Sequence, residues 1–291
     1  MIRKAIVPIA GLATRFLPLS KVVPKELWPL ADIPSIQYVI KEAKDSGIKE
    51  IIFVLRQDNK KILDYLKSCH KTEKLLKEKK RTDILEELKS LEDLCSDLTF
   101  SYVLQAKPLG DGHAILQAAK NVRGEAVACM FPDDIFDSEE PVLLQLANIF
   151  KTCQKPVIGL RRLPKDKISA YGAVGVEKIA NKLYKIKKIV EKPALEDAPS
   201  DLAIVGRYIL TPEVFDYLKK AKPSKKEEII LAEVFENQML KEGKVIYGYE
   251  FSGEWLEAGD KLKWLKSTIY FSLHHPRYGP QIKEYLKNIR F

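Results

Sequence analysis

The sequence predicts an α/β protein built on a doubly wound, mostly parallel mixed sheet with helices on both faces. Two observations carry this. Short apolar runs of strand length recur along the N-terminal half, separated by stretches with helical spacing, which is the alternation of parallel strands and crossover helices. Two of these runs end on ligand-type residues, Gly11 after the first and Asp133 with Asp134 after the fourth, and open α/β sheets bind ligands at the carboxyl ends of their strands.

In chain order, residues 5–10 read as a strand, 36–46 as a helix and 51–55 as a second strand. Gly47 is placed to cap the helix, since a left-handed residue there costs little without a Cβ. Leucines at three- and four-residue steps over 62–94 predict one or two amphipathic helices, and 99–104 reads as a third strand. A helix from about His113 precedes a buried strand at 126–131. Strand-like runs at 156–160, 173–176, 183–190 and 203–210, with fewer helices between them, predict an extension of the sheet. Residues 214–218 and 229–239 read as helical, 245–251 as a strand, and 261–274 and 280–289 as closing helices. No repeat or low-complexity linker interrupts the chain, so a single domain over 1–291 is expected.

With 291 residues, 46% apolar and 31% charged, the chain can bury a large core and lies far from the disordered class. The N-terminal apolar stretch over 5–13 contains Pro8 and stops at Arg15, too short for a membrane span and without a cleavage site; a cytoplasmic protein is expected. Cys69, Cys95, Cys129 and Cys153 stand singly, without zinc-site spacing, which fits unpaired thiols in a reducing compartment. The net charge of +9 suits an anionic partner: nucleic acid, acidic membrane or phosphorylated metabolite. The basic runs at 77–81 and 182–188 lack the interleaved aromatics of nucleic-acid platforms and read as solvated faces, so neither nucleic acid nor membrane is expected as partner.

The densest chemistry is the loop Ala10-Gly11-Leu12-Ala13-Thr14-Arg15, followed by Pro24-Lys25-Glu26. Backbone amides around Gly11 can form an anion nest, with Arg15 and Lys25 as fixed cations for a polyphosphate. The ending that defines a P-loop is missing, and a plain strand-to-helix turn is the competing reading. Asp133, at the end of a buried strand, is placed to hold Mg²⁺ bridging phosphate oxygens, with Asp134 behind it; the alternative is an Asp that caps the next turn.

These residues belong to an ordered series: Lys21-Val22-Val23-Pro24-Lys25-Glu26, Pro34-Ser35-Ile36-Gln37-Tyr38, Leu109-Gly110-Asp111-Gly112-His113-Ala114 after Gln105, Phe131-Pro132-Asp133-Asp134, Tyr171-Gly172, Val190-Glu191-Lys192-Pro193, Val205-Gly206-Arg207-Tyr208 and Gly259-Asp260-Lys261. The series resembles the sugar nucleotidyltransferases, specifically the UTP:glucose-1-phosphate uridylyltransferase family, along nearly the whole chain. The resemblance implies a Rossmann-like nucleotidyltransferase fold, and attack of the glucose 1-phosphate oxygen on the α-phosphorus of UTP to give UDP-glucose and pyrophosphate. Such a displacement needs alignment and charge neutralisation more than covalent chemistry.

By the same resemblance, Arg15 and Lys25 hold the leaving pyrophosphate and Lys192 the sugar phosphate. Ala10, Gly11, Leu12 and Glu26 border the nucleotide, and Gln105 with backbone at Gly110 and Gly112 reads the uracil edge. Glu191 takes sugar hydroxyls, Gly172 and Gly206 let backbone approach the sugar, and Asp133 with Glu257 holds Mg²⁺. A surface ion pair is the plain alternative for Glu191 and Lys192. His113 is expected to pack or touch the base, and Trp28, Trp255 and Trp264 to lie in the core or an interface. Residues 1–135 then serve mainly the nucleotide, 136–260 mainly the sugar phosphate, and the helices of 261–291 offer a surface for a homo-oligomer.

The chain departs from the family pattern at Ala13 (a glycine there), Ile33 (a lysine), Ala170 (a basic residue), 230–234 (Ile-Leu-Ala-Glu-Val for Gln-Leu-Thr-Asp-Ala) and Glu257 (an aspartate). Competing readings are a transferase using another sugar 1-phosphate or dTTP, a nucleotide-binding regulatory paralogue with weak turnover, and, from the charge alone, a nucleic-acid-binding protein.

Overall fold

The computed structural model describes residues 1–57, 60–224 and 227–290. The chain runs β1 (Lys4–Ile9), β2 (Pro29–Leu30), β3 (Ile33–Pro34), α1 (Ser35–Asp45), β4 (Glu50–Leu55), α2 (Lys61–Tyr65), α3 (His70–Glu78), α4 (Thr82–Cys95), β5 (Thr99–Leu104), α5 (Asp111–Gln117), α6 (Ala119–Val122), β6 (Val127–Met130), β7 (Asp134–Asp137) and α7 (Val142–Cys153). It continues with β8 (Val157–Arg162), β9 (Gly172–Ala180), β10 (Leu183–Glu191), β11 (Leu202–Leu210), α8 (Pro212–Lys220), α9 (Leu231–Val234), β12 (Tyr247–Glu250), β13 (Glu254–Glu257), α10 (Lys261–His274) and α11 (Gly279–Lys287).

Nine of these strands form one sheet in the order β5-β4-β1-β6-β11-β8-β12-β10-β9. β5, β4, β1 and β6 are parallel, β11 runs against both β6 and β8, and β9 and β10 form an antiparallel hairpin at the far edge. The apolar runs read as strands because both their faces are buried. Ile6, Ile52, Val54 and Cys129 enter one core with Ile115, Val214 and Leu218. Their neighbours Ala5, Val7, Ile51, Phe53 and Ala128 enter the other with Ile36, Val39, Ile40 and Leu146. Helices therefore cover both faces, and period-two alternation sends each strand's side chains into two cores.

Several boundaries differ from expectation for local reasons. The 62–94 region holds three helices, α3 ending where Lys80 turns left-handed at φ +51°, a stop that carries no glycine. The helix expected over 229–239 starts late, because Ile229 N–H donates to the Leu109 carbonyl and Ile229 O accepts from Gly112 N. This pairing keeps residues 229 and 230 extended; α9 then passes into a π-helical turn over Phe235–Leu240. The helix expected from His113 begins two residues earlier, at Asp111. Helix α7 and the small ribbon of β7 with β13 had no counterpart in the sequence reading. The basic run at 182–188 lies largely on the edge hairpin, where Lys187 pairs with Glu177 at 2.6 Å. No helix among the described residues is long and apolar enough to cross a membrane, and all four cysteines are free.

Arg207, on β11, is fully buried. Its guanidinium pairs with Glu42 of α1 through three contacts of 2.7–3.1 Å and donates to the carbonyls of Phe131, Gly206 and Asp134 at 2.8–2.9 Å. Removing one partner of such a pair leaves a buried charge uncompensated. Glu42→Ala is therefore expected to cost about 3–5 kcal/mol, read from urea unfolding midpoints; a loss under about 1 kcal/mol would show that the pair does not hold the fold.

Candidate active site

The carboxyl ends of β1, β5 and β6 open onto a cleft of about 420 Å³, lined by the loop from Ala10 to Thr14 and by Lys25, Glu26, Gln105, Gly110, Asp111, Phe131 and Asp133. Gly11 is exposed, and a Cβ there would meet nothing within 4 Å, so its small size serves no internal packing and leaves the loop face open. Ala13 takes the left-handed conformation at φ 49°, the backbone that explains a glycine at this position in the family pattern. The loop is anchored by buried Phe16, whose amide donates to the Ala13 carbonyl and whose ring packs edge-on against Trp28.

Lys25 reaches across the cleft and donates to Asp133 Oδ1, with Glu26 Oε1 3.9 Å from its ammonium. Burial pulls the Lys25 pKa down, but the charges of Asp133 and Glu26 outweigh it and the net shift is upward. Burial pushes Glu26 up to about 7 against the pull of Lys25, with Asp133 adding to the rise. Arg15 is exposed, its Nη1 3.5 Å from the Gly259 carbonyl. Beside the loop lies a recess of about 240 Å³ lined by Lys21, Lys25, Arg56 and Lys61. Arg56, which donates to the Gly11 carbonyl at 3.4 Å, and Lys61 were not singled out from the sequence, because nothing local ties residues 56–61 to the first loop.

At the other end of the cleft, Gln105 is buried at 4% exposure. Its Nε2 donates to the Gly110 carbonyl at 3.1 Å and lies 2.9 Å from His113 Nδ1, so His113 packs against the amide and holds it. Gly110, at φ +94°, and Gly112 are glycines because the Ile229 carbonyl lies 2.5 and 2.9 Å from where their Cβ atoms would be. Gly110 lines the cleft, whereas Gly112 is not among its lining residues and gives its N–H to Ile229 O and Asp111 Oδ1.

The turn between β6 and β7 carries both aspartates in different roles. Asp133 faces the cleft, and its carbonyl accepts from Ala258 N at 2.7 Å. Asp134 is turned inward, accepting from Trp255 Nε1 at 2.6 Å and Gly206 N at 3.0 Å. Burial pushes Asp134 up to about 6 against the pull of Arg207. Gly206, expected at the sugar, is tight for an internal reason: a Cβ there would fall 2.2 Å from Asp134 Oδ2, and its N–H and carbonyl are both bonded within the protein. Trp255 sits against Tyr171 and anchors Asp134, while Trp28 and Trp264 pack edge-on.

The hairpin of β9 and β10 supplies the remaining residues. Glu191 leans over Gly172, its Oε2 3.0 Å from where a Cβ would stand. Lys192 takes the left-handed conformation at φ 47°, held by its N–H to the Tyr171 carbonyl, with Nζ exposed and 3.6 Å from Glu191 Oε1. A non-glycine residue in this region is strained, and such strain concentrates at functional sites. Glu257 does not join Asp133: its carboxylate accepts from Tyr171 Oη and from Lys263 Nζ at 2.7 Å and lines a neighbouring cleft. The extra methylene relative to aspartate lets it reach these two groups.

A family model for nucleotidyl transferases matches residues 4–267. The chain belongs to the nucleotidyl transferase family. Among relatives of this family, it is 38% identical over 290 residues to a UTP--glucose-1-phosphate uridylyltransferase of Staphylococcus haemolyticus, covering 100% of this chain and 99% of the relative. Its fold superimposes on a UTP-bound UGPase from Acinetobacter baumannii with a TM-score of 0.89, at 32% identity and 100% coverage of both chains. It also superimposes on a UDP-glucose pyrophosphorylase complexed with UDP-glucose at 0.83, with 33% identity and coverage of 93% and 98%.

The buried carboxyls of this nucleotidyl transferase set a pH signature. Glu26 is raised to about 7, above its unfolded value of about 4.3. Its contribution to stability is therefore present below about pH 4 and lost as pH rises through about 7. Glu26→Gln is expected to gain on the wild type in urea midpoint as pH rises from about 5 to about 8; a constant difference across that window would show Glu26 to be unperturbed.

Proposed function

We propose that this chain transfers uridylyl from UTP to glucose 1-phosphate, forming UDP-glucose and pyrophosphate. The observation that carries this reading is the cleft itself: a left-handed loop with Gly11 open, Lys25 on Asp133, and buried Gln105 with its Nε2 already committed, all at strand ends of a fold superimposable on a UTP-bound relative. Among the described residues, no cysteine, serine or histidine lines this cleft. The chemistry assigned to it is a single in-line displacement governed by positioning and charge. The sugar phosphate oxygen is already ionised at neutral pH and needs no general base.

Arg15 and Lys25 take the triphosphate with the backbone of Ala10, Gly11 and Leu12, Glu26 orienting Lys25; Lys21, Arg56 and Lys61 add cations for the leaving pyrophosphate. Gln105 presents Oε1 as acceptor to the uracil N–H, since its amide hydrogens already face Gly110 O and His113. Lys192 takes the sugar phosphate, and Glu191, beside Gly172, takes sugar hydroxyls. Residues 1–135 serve the nucleotide and 136–260 the sugar phosphate within one domain.

Asp133 fits Mg²⁺: it is a hard oxygen donor facing the phosphate loop, and among the described residues no three His, Cys, Asp or Glu side chains gather as a complete cage. An ion there would draw most of its oxygens from phosphate and water, as Mg²⁺ does. Bound Mg²⁺ would neutralise phosphate charge. Glu257, held by Tyr171 and Lys263, supports the neighbouring turn in this arrangement. On α10, Leu262, Leu265 and Ile269 are exposed at 62%, 48% and 55% at three- and four-residue steps, which supports a second copy of the chain as partner.

The test is pyrophosphate release with Mg²⁺, each nucleoside triphosphate and a panel of sugar 1-phosphates. UTP with glucose 1-phosphate should be the preferred pair, ahead of dTTP by about tenfold to hundredfold, one methyl in a close pocket being worth about 1–3 kcal/mol. Equal specificity constants would move the assignment to a thymidylyl transferase, and no release with any pair would leave a binding protein. Lys25→Ala and Lys192→Ala should each lower kcat by about a hundredfold or more; near-native rates in both would refute the assigned roles. Asp133→Asn should raise the Mg²⁺ concentration needed for half-maximal rate well beyond the effect of Glu257→Gln, and the reverse order would return Glu257 to the metal.

A further inference from the structure

We infer that Asp111 is a specificity-determining residue of the cleft, a second carboxylate beside Glu191 that accepts a hydrogen bond from a hydroxyl of the bound sugar. The inference rests on the uridylyl-transfer reading above. Asp111 opens α5 between two glycines pressed against the Ile229 backbone, so its main chain has little room to shift. Its Oδ1 accepts from Gly112 N at 2.7 Å and from Leu231 N at 3.0 Å, which fixes the plane of the carboxylate. Among the described residues Oδ2 has no hydrogen-bond partner, and the residue lines the cleft.

Asp111 is half-buried, and its Oδ2 keeps its full accepting capacity for a donor that enters the cleft. Burial pushes Asp111 up to about 6, and the charge of Glu191 adds to the rise, so the two carboxylates lie within reach of each other's field. Tyr208 lies in that same field, and its hydroxyl makes no hydrogen bond among the described residues. Two carboxylates would repel a further anion, and with the neutral phenol they suit a neutral group bearing several hydroxyl donors. A sugar ring is such a group, and its phosphate belongs at the cationic end, with Lys192. The two backbone N–H groups on Oδ1 explain why the side chain keeps one orientation and can discriminate between hydroxyl positions.

Asp111→Asn tests this, since it keeps an oxygen for the two backbone donors and replaces the free acceptor with an NH₂. Initial rates are measured at saturating UTP and Mg²⁺ with glucose 1-phosphate and its 2-, 3-, 4- and 6-deoxy analogues. The expected result is a rise of about tenfold or more in KM for glucose 1-phosphate, with KM for UTP and the melting temperature unchanged, because a site built to bond a hydroxyl discriminates strongly through that bond. One deoxy analogue that penalises the wild type should carry no added penalty in the variant. An active wild type whose deoxy profile superimposes on that of Asp111→Asn would overturn this inference alone. A wild type that forms no UDP-glucose would overturn the parent reading and this inference with it. A crystal structure of the wild type with UDP-glucose provides a readout free of any folding defect: a sugar hydroxyl within about 3.2 Å of Asp111 Oδ2 is expected, and hydroxyls all directed elsewhere would refute it.

Discussion

The acidic end of the cleft depends on one buried guanidinium. Arg207 grips the carbonyls on either side of the Pro132–Asp133 turn, those of Phe131 and Asp134, while its charge is met by Glu42 from α1 and its face lies over the Phe136 ring. Glu42 in turn accepts from Leu143 N in the first turn of α7. One ion pair thus joins two helices, the last parallel strand and the antiparallel strand beside it. Because a buried charge is tolerated only when paired and fully hydrogen-bonded, these elements can move only together. Asp133 is presented to the cleft on a turn that has no independent freedom.

Around this fixed point the site balances charges of opposite sign. Lys25 is half-buried and held cationic by Asp133 and Glu26, while burial raises the Glu26 carboxyl against the pull of Lys25. A polyphosphate entering beside the open Gly11 meets preorganised donors and cations, the arrangement that stabilises developing charge most effectively. Two of the left-handed non-glycine residues, Ala13 and Lys192, lie in the two loops assigned to the two phosphate groups.

How far this was legible in the sequence follows from the range of each interaction. The strands β1, β4, β6 and β11 could be read because they are buried on both faces and appear as apolar runs, and α10 because its register is local. Ribbon β7–β13 could not, since four residues of mixed character pair only through a contact more than a hundred residues away. The same holds for the site. The blocks around Lys25, Gln105, Asp133, Glu191 and Lys192 were visible as motifs, and the structure brings Lys25 to Asp133 and Glu191 to Gly172. The inward turn of Asp134 depends on Trp255, the tightness of Gly206 on Asp134, and the capture of Glu257 on Tyr171. Each is a tertiary partnership with no local spacing to signal it. Ile229 is the clearest case: an apolar residue in a helix-like stretch held extended by backbone pairing with Leu109 and Gly112.

The central claim is that the cleft works by holding both substrates for one direct displacement, without a covalent intermediate on the protein. Exchange of labelled pyrophosphate into UTP, with Mg²⁺ present and glucose 1-phosphate absent, tests this most directly. The account predicts no exchange above background until the sugar phosphate is added, because the α-phosphorus has nothing to be transferred to. Exchange at a rate comparable to turnover in its absence would mean that a protein side chain accepts the uridylyl group, and would contradict the account.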